Sequence, residues 1–179
     1  MIRKVVVSLG VIFIALTAFH AEAKHMAIEY QQGEYDRQGV RVAVQPRGER
    51  PLPWWGLSWY PELSVSQWQQ RIDSASYDGN SYDRVNVLAI SPVFVKPLIT
   101  LGSGQLSFEF GIGASLLDER YFGHKHLGTH FQFEDRLGLR WVTPSEHTVT
   151  LRYMHYSNGG IGSHNPGVDF INLSYGRAF

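Results

Sequence analysis

Apolar and polar side chains alternate with a period of two along nearly every long segment from residue 26 to the C-terminus. Successive side chains of a strand point to opposite faces, so this pattern builds sheet with one apolar and one polar surface. Eight segments carry it: 26–33, 37–45, 57–69, 83–96, 104–115, 128–142, 147–157 and 167–179. Turn-forming runs separate them, namely Pro51-Leu52-Pro53, Asp78-Gly79-Asn80, Gly102-Ser103-Gly104, Thr143-Pro144-Ser145 and Asn158-Gly159-Gly160. Outside the strands, only a short helical turn around residues 116–121 is expected. In 128–142 the odd positions are Phe131, Phe133, Asp135, Leu137, Leu139 and Trp141, and the even ones include Gln132, Glu134, Arg136 and Arg140. One face is therefore apolar except at Asp135, where an interfacial position or a bulge is expected. The other face carries both signs of charge, so Glu134, Arg136 and Arg140 read as an ion-pair network.

The first 23 residues read differently. Arg3 and Lys4 precede an apolar run from Val5 to Phe19, and Ala21-Glu22-Ala23 is a small-x-small cleavage site. Residues 1–23 are thus expected to be a secretory signal, leaving one domain over 24–179. No later run approaches the roughly 20 apolar residues of a spanning helix. Sixteen basic residues balance sixteen acidic ones, so there is no basic face for nucleic acid. The chain has no cysteine, so disulfides cannot hold this small exported domain together.

Alternation alone fits two architectures. In a soluble lipid-binding barrel the apolar face fills the interior. In a transmembrane barrel it meets lipid and the polar face fills the lumen. Three features favour the membrane. The strands are near the roughly 9–11 residues that cross a bilayer. Trp54, Trp55, Trp59, Tyr60, Tyr121, Trp141 and Tyr153 lie near strand ends, where interfacial aromatics sit. The chain closes on Phe179, with Tyr175, Leu173 and Ile171 on the same face; this ending resembles the assembly signal of outer-membrane proteins. With both termini on the periplasmic side, loops near 70–82, 116–127 and 158–166 would be extracellular. Residues 98–103 and 143–146 would form periplasmic turns.

The last hairpin carries the chemistry. By period two, His155 and Ser157 project from the apolar face that also holds Val149, Leu151 and Tyr153. Asp169 opens the corresponding face of the next strand, and antiparallel pairing would bring it beside them. A serine, a histidine and a carboxylate are the parts of a nucleophile, a general base and an orienting acid. Asn158, through its side chain or its backbone N–H, could stabilise the oxyanion of an acyl-transfer intermediate. His124, His126 and His130 lie within seven residues but lack the firm ligand pattern of a metal site, so they read as solvated.

Four blocks, in order, resemble the lipid A 3-O-deacylase family: Ser91-Pro92-Val93-Phe94-Val95, Phe110-Gly111-Ile112-Gly113-Ala114, Phe131-Gln132-Phe133-Glu134-Asp135-Arg136-Leu137-Gly138, and His155-Tyr156-Ser157-Asn158. The resemblance covers residues 83–179 well and the region before it in pattern only. It implies an all-β fold, an eight-stranded antiparallel transmembrane β-barrel in the bacterial outer membrane. It also implies a serine esterase, without metal or cofactor, that hydrolyses the ester-linked acyl chain at position 3 of lipid A. His155 then resembles the base, Ser157 the nucleophile and Asn158 the oxyanion-hole residue. The acid falls on Asp169, where well-known members carry Glu. The partners implied are lipopolysaccharide as substrate and outer-membrane lipid as surroundings, and a homodimer is compatible with this reading. Acyl transfer to a second lipid shares the same acyl-enzyme step. The competing reading is a non-catalytic outer-membrane barrel, an adhesin or structural protein, which gives no reason for Ser157, His155 and Asp169 to share a face.

Overall fold

The computed structural model describes residues 24–70 and 84–179. Eight long strands form one antiparallel meander: β1 (His25–Gln32), β2 (Gln38–Gln45), β3 (Ser58–Gln69), β4 (Arg84–Leu101), β5 (Gly104–Leu117), β6 (Phe131–Val142), β7 (His147–Ser157) and β8 (Val168–Ala178). Each pairs with its neighbours in sequence, and β8 pairs back onto β1, closing the barrel. Closure leaves no unpaired edge, so the backbone hydrogen bonds are satisfied within the sheet, as a lipid environment requires. Beyond β8, the Phe179 N–H still donates to the Lys24 carbonyl at 3.1 Å.

The barrel is inside out relative to a soluble one. Glu29, Arg41, Glu62, Glu109, Glu134, Arg136 and Arg152 point inward and are buried. Ile112, Leu137, Leu151, Ile171 and Leu173 point outward, and Ile112 is 64% exposed. A soluble protein rarely exposes so continuous an apolar band, which excludes the lipid-binding barrel with an apolar interior. The fold is an eight-stranded transmembrane β-barrel.

Two layers of the lumen lie behind the strands of the last hairpin. At mid-height, Glu62 bridges Arg136 Nη1 (2.6 Å) and Arg41 Nη2 (2.7 Å). Glu29 joins Arg41 (2.8 Å) to Arg152, and Glu109 pairs with Arg152 as well. Glu134 accepts from Arg136, Ser91 (2.7 Å) and Tyr156 (3.0 Å). The expected network therefore includes Glu134 and Arg136, whereas Arg140 pairs separately with Glu49. Glycines make the room: a Cβ on Gly138 would come within 3.0 Å of Arg152 Cγ and 3.1 Å of Glu109 Cγ. Above this layer, on the side of the β7–β8 loop, Trp68, Phe122, Leu127, Met154, Tyr156, Val168 and Phe170 form an apolar plug. Trp68 lies at its centre, 4.6 Å from the Tyr156 ring and 5.0 Å from Phe170.

Several expectations need correction. Residues 116–121 form no helical turn. The alternation continues through Leu116, which faces out, and Leu117, which faces in, so β5 runs on. Beyond it Tyr121–Phe122 pairs with Lys125–His126 in a small hairpin that Gly123 closes at φ 58°. β6 begins at Phe131 rather than 128, because the Gln132 amide holds the Leu127 and Thr129 carbonyls out of the ladder. Tyr60 is no interfacial aromatic: it is fully buried in the lumen, whereas Trp54 and Trp55 are exposed. No bulge occurs at Asp135, whose pairing with Ile112 and His155 is continuous; the irregularity lies at Pro97–Ile99 of β4. The turn at Asp78-Gly79-Asn80 and the loop that holds it lie outside the described residues.

Removing one member of a buried ion cluster leaves its partners charged and unpaired. Glu62→Ala is expected to destabilise the barrel by about 3–5 kcal/mol. Urea unfolding in lipid, followed by tryptophan fluorescence, checks this, and an unchanged midpoint would show that Glu62 does not organise the lumen.

Candidate functional site

The expected site lies at the loop end of β7 and β8, on the outer surface. Antiparallel register sets His155 directly opposite Asp169. The His155 Nδ1–H donates to Asp169 Oδ1 at 2.7 Å. This fixes the tautomer with a lone pair on Nε2, so the ring can accept a proton there. Asp169 Oδ1 also accepts from the Tyr153 hydroxyl at 2.5 Å. Tyr153 is two residues before His155 on the same face, so one strand supplies both groups that hold the carboxylate. Ser157 is two residues after His155, again on that face and half-buried. Alternate side chains of a strand are about 7 Å apart, and no hydrogen bond joins Ser157 to the imidazole among the described residues. The inward residues between them, Met154, Tyr156, Val168 and Phe170, belong to the apolar plug. The strand ends that carry the polar groups are thereby fixed from within.

Both groups of Asn158 expected to serve an oxyanion, its side chain and its backbone N–H, have partners within the loops. The side chain points inward and is fully buried. Its Nδ2 donates to the Leu127 carbonyl (2.9 Å) and the His164 carbonyl (2.6 Å), and its Oδ1 accepts from the Gly160 N–H (2.9 Å). Its own N–H donates to Asn165 Oδ1 at 2.9 Å. Asn158 thus ties the β7–β8 loop to the β5–β6 loop. The Gly159 N–H has no partner among the described residues.

Two supports were not read from the sequence. Gly167, at φ 62°, lies so close behind His155 that a Cβ there would come within 2.8 Å of the ring Cε1. Lys125 donates to the Gly167 carbonyl at 2.8 Å. Their only sequence signals are a glycine ending the loop and a lysine in a polar loop, both too common to single out. Of the loop histidines, His126 stacks on Tyr121 (4.5 Å) and leans on His164 (4.6 Å), whereas His130 Nδ1 donates to the Leu117 carbonyl at 2.9 Å.

An apolar groove of about 500 Å³ adjoins the site on the outer wall. Cross-strand register explains its form. One row of outward residues runs Ile112, Asp135, His155, Asp169. The next row, further from the loops, runs Phe94, Phe110, Leu137, Tyr153. The groove lies along these rows, and the ring centroids of Phe94 and Phe110 are 5.3 Å apart on its far side. Its wall includes Asp135, the cross-strand partner of His155, and it opens on the outer face of the barrel.

Comparisons with known proteins bear on the family and the fold. A family model described as lipid A 3-O-deacylase (PagL) matches residues 38–178. The lipid A deacylase PagL of Bordetella bronchiseptica is 28% identical over 183 residues, spanning 95% of this chain and 94% of that protein. The lipid A deacylase PagL of Pseudomonas aeruginosa is 25% identical over 170 residues, spanning 92% and 93%. A crystal structure of the outer membrane enzyme PagL shares the fold with a TM-score of 0.74 at 22% identity, covering 87% of this chain and 99% of that one.

Gly167→Ala would push the imidazole away from its place beside Asp169. It is expected to leave the barrel folded and to lower hydrolysis of a soluble ester about 100-fold, since a displacement near 1 Å can cost that much. Unchanged turnover would show that this contact does not position His155.

Proposed function

The chain belongs to the lipid A 3-O-deacylase (PagL) family, and from that premise we propose that it is an outer-membrane serine esterase that removes the acyl chain from position 3 of lipid A. The observation that carries this reading is the outward His155–Asp169 pair, with Ser157 on the same face, beside a groove that opens to lipid. A barrel serving only as an adhesin or structural element has no use for such a cluster, which is costly on a lipid-facing surface.

Ser157 Oγ attacks the ester carbonyl while His155 Nε2 takes its proton. The hydrogen bond between them forms as the substrate is seated, as catalytic contacts commonly tighten in the Michaelis complex. Asp169 stabilises the imidazolium that results. The tetrahedral intermediate collapses, His155 returns the proton to the departing sugar oxygen, and the acyl group stays on Ser157. Water then attacks the acyl-enzyme with His155 again as base, releasing the fatty acid and restoring the serine. The Gly159 N–H is suited to the oxyanion, and Asn158 shapes that hole by holding the loop rather than by direct donation.

The outward site suits a substrate that is itself a lipid. The headgroup stays at the loop end, in the outer leaflet, and the acyl chain passes into the groove lined by Phe94, Phe110, Leu137 and Tyr153 without leaving the membrane. Its volume lies within the roughly 300–1,000 Å³ usual for ligand pockets. Residues 1–23 serve as the export signal by which such a chain leaves the cytoplasm, and its barrel fold suits the bacterial outer membrane.

Mass spectrometry of lipid A from bacteria expressing the chain tests this. Loss of one ester-linked acyl chain is expected with the native protein and not with an equally well inserted Ser157→Ala variant. Loss with both would remove Ser157 from the mechanism, and loss with neither would refute the activity.

A further inference from the structure

The Asp169 carboxylate takes two hydrogen bonds on one oxygen. The Tyr153 hydroxyl donates to Oδ1 at 2.5 Å, and His155 Nδ1–H donates to the same atom at 2.7 Å. Among the described residues Oδ2 accepts no hydrogen bond, and the Asp169 side chain is 41% exposed. His155 stands directly opposite Asp169, whereas Tyr153 stands opposite Ile171 and reaches Asp169 along the diagonal. Diagonal neighbours across an antiparallel pair are about 7–8 Å apart, a span that an aromatic side chain bridges. The register partners of Tyr153 are Leu137 and Ile171, whose side chains offer its hydroxyl no acceptor.

The mechanism uses the bond to His155 and leaves the bond from Tyr153 without a task. The second torsion of an aspartate is broad, so its partners decide which way the carboxylate faces. Two cations draw it towards the loops. Lys125, in the β5–β6 loop, and Arg37, in the β1–β2 turn, both interact electrostatically with Asp169. Tyr153 lies on the opposite side, two residues before His155 and further from the loops. Its hydroxyl therefore acts against the pull of the two cations. It also supplies a second donor to a carboxylate on a lipid-facing wall, where an under-partnered charge is costly.

We propose that Tyr153 is a positioning residue that acts through Asp169. Its hydroxyl turns the carboxylate towards His155 Nδ1 and away from Lys125 and Arg37. The imidazole is thereby kept in the tautomer whose Nε2 accepts the serine proton. This rests on the esterase reading above, with His155 as the base. Because Tyr153 touches neither Ser157 nor the imidazole, its contribution exists only while Asp169 is present.

The test uses the purified, folded barrel in detergent and a soluble ester. Tyr153→Phe removes the hydroxyl and keeps the ring on the groove wall, so KM is expected to hold. The hydrogen bond lost is one to a charged group, and kcat is expected to fall about 10- to 100-fold. In an Asp169→Ala background the same substitution is expected to cost no further activity, as for two residues that act as one unit. Nitrogen NMR of the isotopically labelled, substrate-free barrel reads the His155 tautomer directly. The Nδ1–H form is expected to dominate in the native protein and to decline in Tyr153→Phe. An unchanged kcat, an unchanged tautomer ratio, or an equal loss in the Asp169→Ala background overturns the proposal and leaves the esterase reading intact. If the native barrel hydrolyses no ester, the esterase reading fails and this inference with it.

Discussion

The buried ion cluster in the lumen is the constraint on which the rest of the structure depends. Three guanidiniums, from Arg41, Arg136 and Arg152, are held by Glu29, Glu62, Glu109 and Glu134 on different strands. Charges buried in this way are tolerable only when each is paired and hydrogen-bonded. Because the interior takes all of them, the outer wall is free to be apolar. The same cluster reaches the site: Glu134 accepts from Tyr156, the inward residue between His155 and Ser157. The polar lumen and the apolar plug above it thus give the outward groups a rigid backing.

The proposed active site, on the outside of the barrel, inverts the usual arrangement, in which a concave protein interior excludes water. Here the membrane supplies the apolar surroundings. The protein contributes a row of polar residues across β6, β7 and β8 near the loop end, and a row of aromatic and aliphatic residues beneath it. Tyr153 belongs to both, since its ring lines the groove and its hydroxyl holds Asp169. In the proposed reaction, the position of the substrate in the bilayer and the position of the site on the barrel are set by the same periodicity.

Much of this was legible because side-chain direction in a strand depends only on parity. The eight strands, the shared face of His155, Ser157 and Asp169, and the inward turn of Glu134 and Arg136 all follow from counting by two. What depended on packing across the lumen did not. Tyr60 has the composition of an interfacial aromatic and the parity of an inward residue, and parity prevails. Asn158 drew notice because it follows the serine, and the alternation that sends Ser157 out sends its side chain in, where its bonds to the Leu127 and His164 carbonyls depend on loops that no local pattern reports. The backing of His155 by Gly167 and Lys125 joins two loops far apart in sequence, which no local pattern reports. Asp135 was visible as an exception on its face, but only the register placed it opposite His155.

The claim that an outward serine, activated by His155, is the nucleophile is tested most directly by labelling the folded barrel with a fluorophosphonate and mapping the modified peptide. The account predicts one modification, on Ser157, that disappears in His155→Ala while the barrel stays folded. Labelling at another residue, or labelling of Ser157 that does not depend on His155, would contradict it.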